Sequence, residues 1–153
     1  VLKFKKSSLD SIISTEYKKR LKAYNSVNWH IGYADLNEIG LWKKAGGIPK
    51  SWTRGSLKDS AEIMASELSK RESKYSRIRA MKTVPEIIDF KAIIKKEKYL
   101  LPIILPGGII PNCRKGMRKM KGDIDDGCMR SLAFAISGDK KIRAYIGTTP
   151  KKT

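Results

Sequence analysis

The clearest hydrophobic pattern in the chain lies between Ser56 and Met81. Apolar residues recur there at spacings of three, four and seven, the periodicity of a helix with one buried face. They are Leu57, Ala61, Met64, Leu68, Tyr75 and Ile78. Ser56 and Asp59 have the spacing of a capping box, in which each side chain accepts a hydrogen bond from the other residue's backbone N–H. The sequence therefore predicts one long helix over residues 57–81.

A second helical pattern and a buried strand follow this helix. Pro85 occupies a favourable first-turn position, and Ile87, Phe90 and Ile94 mark one apolar face, which predicts a helix to about Lys98. Residues 100–105 carry no polar side chain. Such a run is typical of a strand that is buried on both faces of an α/β sheet.

The C-terminal residues continue the alternation of helix and strand. Residues 131–137 predict a short helix that Gly138 ends. Ile142, Ala144 and Ile146 then alternate with polar residues, as in a closing strand. These elements favour a single domain of mixed α+β or α/β class, with a small sheet and short helices.

The first third of the chain is harder to interpret. Its pattern favours a short strand over residues 1–4 and helices over 15–24 and 35–44, the last ending before Gly46-Gly47. All three tryptophans lie within residues 25–54, interleaved with lysine and arginine. This arrangement is consistent with a buried core and with a stacking surface for single-stranded nucleic acid.

The charge of the chain changes the picture more than any single motif. Lysine and arginine number 33 against 15 acidic residues, a formal net charge of +18. Such a field attracts polyanions, so DNA or RNA is the first partner to expect. The alternative is a lysine-rich surface of the thermophile type, but those surfaces usually match lysine with glutamate.

Two stretches and a tail concentrate these cations. The first stretch contains Lys70, Arg71, Lys74, Arg77 and Arg79. The second contains Arg114, Lys115, Arg118, Lys119 and Lys121, and residues 148–153 form a basic tail. We expect both stretches to contact phosphates. The alternatives are favourable cations at a helix C-terminus for the first and a solvated charge run for the second.

Other classes of protein find little support in the sequence. No apolar run is long enough to span a membrane, and lysines interrupt the N-terminal residues where a signal-peptide core would lie. We therefore expect a cytoplasmic protein without a membrane partner. Cys113 and Cys128 do not make a disulfide framework, and His30, the only histidine, cannot build a zinc site of the usual spacing.

The best candidate for chemistry is the segment Asp125-Asp126-Gly127-Cys128-Met129-Arg130, which lies between a strand-like run and the helix that ends at Gly138. An Asp-Gly turn leaves the first N–H groups of a helix free, and the helix dipole favours an anion there. Arg130 could add a bidentate contact to the same phosphate. The alternative is an ordinary strand-turn-helix with an aspartate cap. The candidate phosphate-binding residues are Gly127, Cys128, Met129, Arg130 and Ser131.

This motif and the order of elements resemble the ParB/sulfiredoxin superfamily. Residues 126–130 are similar to its D-G-x-H-R-type motif, and Ala133 with Gly138 is similar to the A-x-x-x-x-G helix that follows. The resemblance assigns residues 1–24 and 84–147 to a ParB/sulfiredoxin-like core. It leaves residues 25–83 as a mainly helical insertion.

The resemblance implies a turn that binds phosphate or a nucleotide such as ATP, ADP or CTP. It also implies two candidate catalytic residues, Glu16 at the position of a kinase base and Asp126. Glu16 and Asp126, together with Asp123 and Asp125, are a candidate set of Mg²⁺ ligands. Two residues of the motif bear on its chemistry. Met129 stands where the resembled family usually has histidine, and Cys128 stands where sulfiredoxins have their reactive cysteine.

The first functional hypothesis is a ParB-like nucleic-acid-binding protein with a phosphate-binding turn, and nuclease activity is a further expectation because some family members are nucleases. The alternative is a nucleotide-dependent phosphotransferase that resembles the free-serine kinases. Sulfiredoxin-like thiol chemistry and a catalytically silent DNA-binding scaffold are further alternatives. The sequence leaves the oligomeric state open.

Overall fold

The computed structural model describes residues 21–110 and 113–150. The helices are α1 (Leu21–Asn25), α2 (Leu57–Ser69), α3 (Arg79–Asp89), α4 (Lys91–Lys96) and α5 (Cys128–Ile136). The strands are β1 (Asn28–Asp35), β2 (Ile39–Gly40), β3 (Ile103–Pro106), β4 (Gly122–Asp126) and β5 (Lys141–Thr148). The strand expected over residues 1–4, most of the helix expected over 15–24, and Glu16 lie outside the described residues.

The five strands form one mixed sheet in the order β1-β5-β3-β4-β2. β1 pairs antiparallel with β5, and β5 pairs parallel with β3. β3 pairs antiparallel with β4, which pairs parallel with β2. The expected mixed α/β class is confirmed.

The main departure from the sequence analysis is strand β1. It pairs with β5 along its whole length, from Asn28 opposite Thr148 to Asp35 opposite Lys141. The segment 25–83, expected to be a mainly helical insertion, therefore supplies both edge strands of the sheet, β1 and β2, as well as helix α2 and the start of α3.

The prediction of a helix over residues 35–44 was wrong. β1 ends at Asp35, whose side chain accepts a hydrogen bond from the Asn37 amide at 2.9 Å, and the chain turns. Ile39 and Gly40 then pair with the start of β4. A side chain at Gly40 would lie 2.4 Å from the Arg114 guanidinium, so strand pairing and this close packing override the local helical pattern.

The helix expected over residues 57–81 begins as predicted but ends early. The capping box is confirmed, with the Ser56 amide 2.9 Å from Asp59 Oδ2 and the Asp59 amide 3.2 Å from Ser56 Oγ. Lys70 is extended and ends the helix. Tyr75, which continues the helical period, instead packs edge-on against the Trp52 ring at 4.8 Å between centroids.

The helix expected from Pro85 to Lys98 begins earlier and is broken. α3 starts at Arg79 and contains Pro85 in its interior, and α4 follows at Lys91. A proline in a helix interior removes one backbone donor and clashes with the preceding turn. The buried Ala80, Met81 and Val84 hold α3 to the core in spite of this cost. The basic stretch consequently lies before and at the start of α3 rather than at the end of α2.

Two apolar clusters flank the sheet. The larger one lies under α2, α3 and α5, with Leu57, Met64, Val84, Leu132 and Phe134 against Ile104, Ile124 and Ile142 of the strands. The smaller one joins Tyr24, Val27 and Trp29 to Leu101, Ile103 and Leu105 on the opposite face. Trp29 in the smaller cluster and Trp52 in the larger one are therefore core residues. No helix among residues 21–110 and 113–150 is long and apolar enough to cross a membrane.

Candidate functional site

The segment with the clearest site chemistry is the expected strand-turn-helix at Gly127. Asp126 ends β4, Gly127 precedes α5 with φ +86°, and Cys128 begins the helix. A β-carbon at position 127 would also lie 3.0 Å from Pro102 Cα. The amide and the hydroxyl of Ser131 donate to the Gly127 carbonyl at 2.9 and 2.8 Å. The turn therefore needs glycine both for its backbone conformation and for space.

A cleft of about 490 Å³ opens beside this turn. It is lined by Trp42, Ala45, Gly46, Arg79, Ile87, Ile94 and residues 125–130. Its volume is within the range of small-molecule sites, and its walls combine apolar side chains with a few charged ones. Two arginines and two aspartates are present, so the groups to which each arginine is bound decide whether the cleft can take an anion.

Arg130 is held by its own turn. Its Nη2 lies 3.1 Å from Asp126 Oδ2, and its Nη1 donates to the Leu100 carbonyl. The guanidinium is thus oriented across the start of α5, and the Asp126 carboxylate competes with a phosphate for it. For the same reason Asp126, a candidate catalytic residue, is bound in an ion pair.

Arg79 is the second cation of the cleft and is differently placed. It is the first residue of α3, and its side chain is exposed. None of the ion pairs between described residues includes it. Arg79 therefore brings the basic stretch of residues 70–79 to the turn and leaves its guanidinium available to an anion.

The three aspartates of β4 do not make the Mg²⁺ site expected from the sequence. Asp123 Oδ1 lies 3.3 Å from Arg114 Nε, and Asp125 accepts a hydrogen bond from the Tyr24 hydroxyl. Burial raises the pKa of the Asp123 carboxyl above its usual value, and the Arg114 charge only partly offsets this. No group of three metal-ligating side chains occurs in the described part of the chain, and Glu16 lies outside it.

The side chains of Met129 and Cys128 pack against neighbouring residues at the start of α5. Met129 contacts the turn at residues 45–47, since a side chain at Gly46 would lie 3.2 Å from its sulfur. Cys128 Sγ is 3.9 Å from the Ile124 carbonyl. Met129 has no proton to donate, so its side chain cannot act as a general acid. Both residues line the cleft.

Arg114 is not available to nucleic acid, which corrects its assignment as a phosphate contact. The side chain is 8% exposed. Its guanidinium donates to the carbonyls of Leu41 at 2.5 Å and Gly55 at 3.0 Å, besides its ion pair with Asp123. The residue holds three segments of backbone together, and this burial requires that its donors be satisfied.

The other cations of the second stretch are exposed but lie away from the cleft. Lys115, Arg118, Lys119 and Lys121 are exposed. This loop leads into the first residue of β4, whereas Gly127 follows the last, so the two sit at opposite ends of the strand. None of these four residues lines the cleft. Arg114, the first cation of this loop, is buried and hydrogen-bonded, so the loop is not simply a solvated charge run.

The cations of the first stretch lie at the surface between α2 and α3. Lys70, Arg71, Lys74, Arg77 and Arg79 are exposed. Lys70 forms an ion pair with Glu67, and Lys74 Nζ lies 5.1 Å from the Tyr75 ring centre. Arg79, the last residue of this stretch, is the first residue of α3 and lines the cleft.

Sequence reasoning missed a second charged cavity, where β1 ends and β5 begins. It is lined by Tyr33, Lys95, Leu101, Phe134, Asp139, Lys140, Lys141 and Arg143. One signal was present, since Lys141 and Arg143 alternate with the apolar residues of β5. Their partners come from β1 and α4, which the sequence pattern did not place beside them.

Comparison of the chain with protein-family models, with curated proteins and with solved structures gave no match.

Proposed function

We propose that the protein binds nucleic acid and that the cleft at Gly127 holds a phosphate group, either of that nucleic acid or of a nucleotide. The observation that carries this proposal is the position of Arg79. This residue belongs to the exposed basic stretch and lines the cleft at the turn. One ligand can therefore contact the basic surface and the turn together.

The start of α5 supports an anion in the cleft. Gly127 has no side chain, so the N-cap residue itself offers no side-chain acceptor to the first turn of α5. The helix dipole favours negative charge at this end. Trp42 adds an aromatic wall against which a base could pack. The resemblance to the ParB/sulfiredoxin superfamily agrees with a phosphate at this turn.

Phosphate contacts by exposed lysine and arginine position a nucleic acid without reading its sequence. We therefore expect salt-sensitive and largely non-specific binding. Phosphotransferase and nuclease activities need a base or a metal ion. Asp126 is bound to Arg130, and the β4 aspartates do not converge. We therefore propose binding alone, and nuclease or phosphotransferase activity, with Glu16 as its catalytic base, stays a prediction.

The test compares Arg79→Gln with Arg77→Gln by fluorescence anisotropy. Labelled duplex and single-stranded DNA and RNA are titrated over a salt series, and ATP, ADP and CTP binding is measured directly. Both variants should weaken nucleic-acid binding and reduce the salt slope by about one unit or less. Only Arg79→Gln should weaken nucleotide or phosphate binding, by roughly ten-fold, because only Arg79 lines the cleft.

Two results would count against the proposal. Wild-type protein that does not bind any of the four nucleic acids at low salt would overturn nucleic-acid binding. Equal loss of nucleotide affinity in the Arg79 and Arg77 variants would overturn the assignment of the cleft.

A further inference from the structure

The most exposed large apolar side chain in the described residues is that of Tyr33. It is 69% exposed, although it lies within an eight-residue strand, two residues before the end of β1. β1 is at one edge of the sheet, with β5 as its neighbour. An aromatic ring this exposed contributes little to the core and therefore little to the stability of the fold.

Arg143 lies directly opposite Tyr33 in the antiparallel register of β1 and β5. Directly opposed residues of such a pair share one face of the sheet and have close β-carbons. Arg143 Nη1 donates to the Lys95 carbonyl at 3.3 Å, which fixes the direction of its guanidinium. A flat aromatic surface and an oriented cation therefore stand side by side.

These two residues border a cavity of about 280 Å³. Leu101 and Phe134 provide apolar contacts, and Lys95, Lys140, Lys141 and Arg143 provide cations. Asp139 is the single acidic side chain among the lining residues.

Asp139 is bound to two lysines of α4, so it offsets Lys95 but none of the other three cations of the cavity. Its two carboxylate oxygens lie 2.9 Å from Lys91 Nζ and 2.7 Å from Lys95 Nζ. Burial alone would raise the pKa of Asp139, but the hydrogen bonds from the two lysines outweigh this and lower it. The carboxylate stays ionised at neutral pH, and Lys140, Lys141 and Arg143 have no carboxylate within 4 Å in the described part of the structure.

We propose that this cavity is a binding site for single-stranded nucleic acid, in which one base stacks on Tyr33 and the adjacent phosphates contact Lys141 and Arg143. The inference rests on the proposed function, since it adds a second contact on the same class of partner. The site shares no lining residue with the cleft at Gly127.

The chemistry of the site selects a single strand. An aromatic ring can stack only on a base that is unstacked on one face, and duplex bases are enclosed by their neighbours. A cavity of about 280 Å³ is also too small to enclose a duplex. DNA and RNA share this chemistry, so the test includes both.

The first experiment detects the contact in the wild-type protein. Single-stranded DNA and RNA with 5-iodouracil in place of each pyrimidine are irradiated with the protein, and the cross-linked peptide is identified by mass spectrometry. Cross-linking at Tyr33, suppressed by unlabelled single strand, is the expected result. Cross-links that map only to other residues would overturn the proposal.

The second experiment tests the stacking contact by substitution. Tyr33→Ala should weaken single-strand binding by roughly 5- to 100-fold, the usual effect of losing one base–aromatic stack, and should leave duplex binding within about two-fold. Tyr33→Phe should retain the affinity, because stacking does not need the hydroxyl. Phe90→Ala is the matched control, since Phe90 is 59% exposed and does not line the cavity.

The outcomes separate this inference from the proposed function. Wild-type protein that binds no nucleic acid overturns both. Tyr33→Ala protein that binds single strands as tightly as wild type overturns the Tyr33 site and leaves the proposed function intact. Equal weakening by Tyr33→Ala and Phe90→Ala also overturns it.

Discussion

Arg130 and Asp126 form an ion pair across the first turn of α5, with 3.1 Å between Nη2 and Oδ2. The pair places a carboxylate beside the helix N-terminus that we propose as a phosphate site. A bound phosphate must therefore compete with Asp126 for the guanidinium. This competition gives the cleft a measurable signature.

Asp126→Asn should strengthen binding of phosphate or nucleotide. The change removes the competing charge and frees Nη2, which should raise affinity roughly three- to ten-fold, a gain of about 1 kcal/mol in binding free energy. Isothermal titration calorimetry with ADP and with inorganic phosphate measures it. The control is Asp89→Asn, an exposed acid that does not line the cleft. Equal gains in both variants would indicate a general charge effect.

Gly127→Ala should destabilise the protein more than Gly138→Ala. Both residues have positive φ, +86° and +97°, so alanine costs about 1 kcal/mol of backbone strain at each. At position 127 the new β-carbon would also meet Pro102 at 3.0 Å, whereas nothing lies within 4 Å at position 138. We expect a total loss of about 1–3 kcal/mol for Gly127→Ala by urea unfolding. Equal losses would contradict the close packing of Pro102.

Arg114→Met and Arg118→Met should separate a structural arginine from a surface one. Arg114→Met leaves Asp123 buried without its cation and several carbonyls without a donor, at a cost of about 3 kcal/mol in unfolding free energy. Arg118→Met should change stability by less than about 0.5 kcal/mol but reduce the salt slope of nucleic-acid binding. Denaturant unfolding and anisotropy on each variant measure both effects. The reverse pattern would restore Arg114 as a phosphate contact.

The two cysteines should react at very different rates in the folded protein. Burial raises the pKa of the Cys113 thiol to about 12, so roughly one thiol in ten thousand is ionised at pH 8. Cys128 is only half-buried. Iodoacetamide at pH 8 should therefore modify Cys128 first, and peptide mass spectrometry identifies the modified residue. Denaturant should make both thiols react, and fast native modification of Cys113 would show that its burial is wrong.

Local chemistry in the sequence determined several elements correctly. The capping box of Ser56 and Asp59 placed the start of α2, and the positive φ of Gly138 gave α5 its end. The alternation of Ile142, Ala144 and Ile146 placed β5. The Asp-Gly turn before α5 was also predicted, because only a few residues and one glycine define it. Each of these elements depends on contacts between residues that are near in sequence.

The tertiary structure alone decided the rest. Residues 28–35 form an edge strand because they pair with β5, which lies more than a hundred residues later in the chain. The helical periodicity of the sequence continues to Ile78, but the helix does not, because Tyr75 packs on Trp52. Arg114 was buried by carbonyls from two remote segments, and Tyr33 was placed beside Arg143 by strand register. Local sequence sets propensity and capping, whereas pairing energy and burial between distant residues select among the conformations that propensity permits.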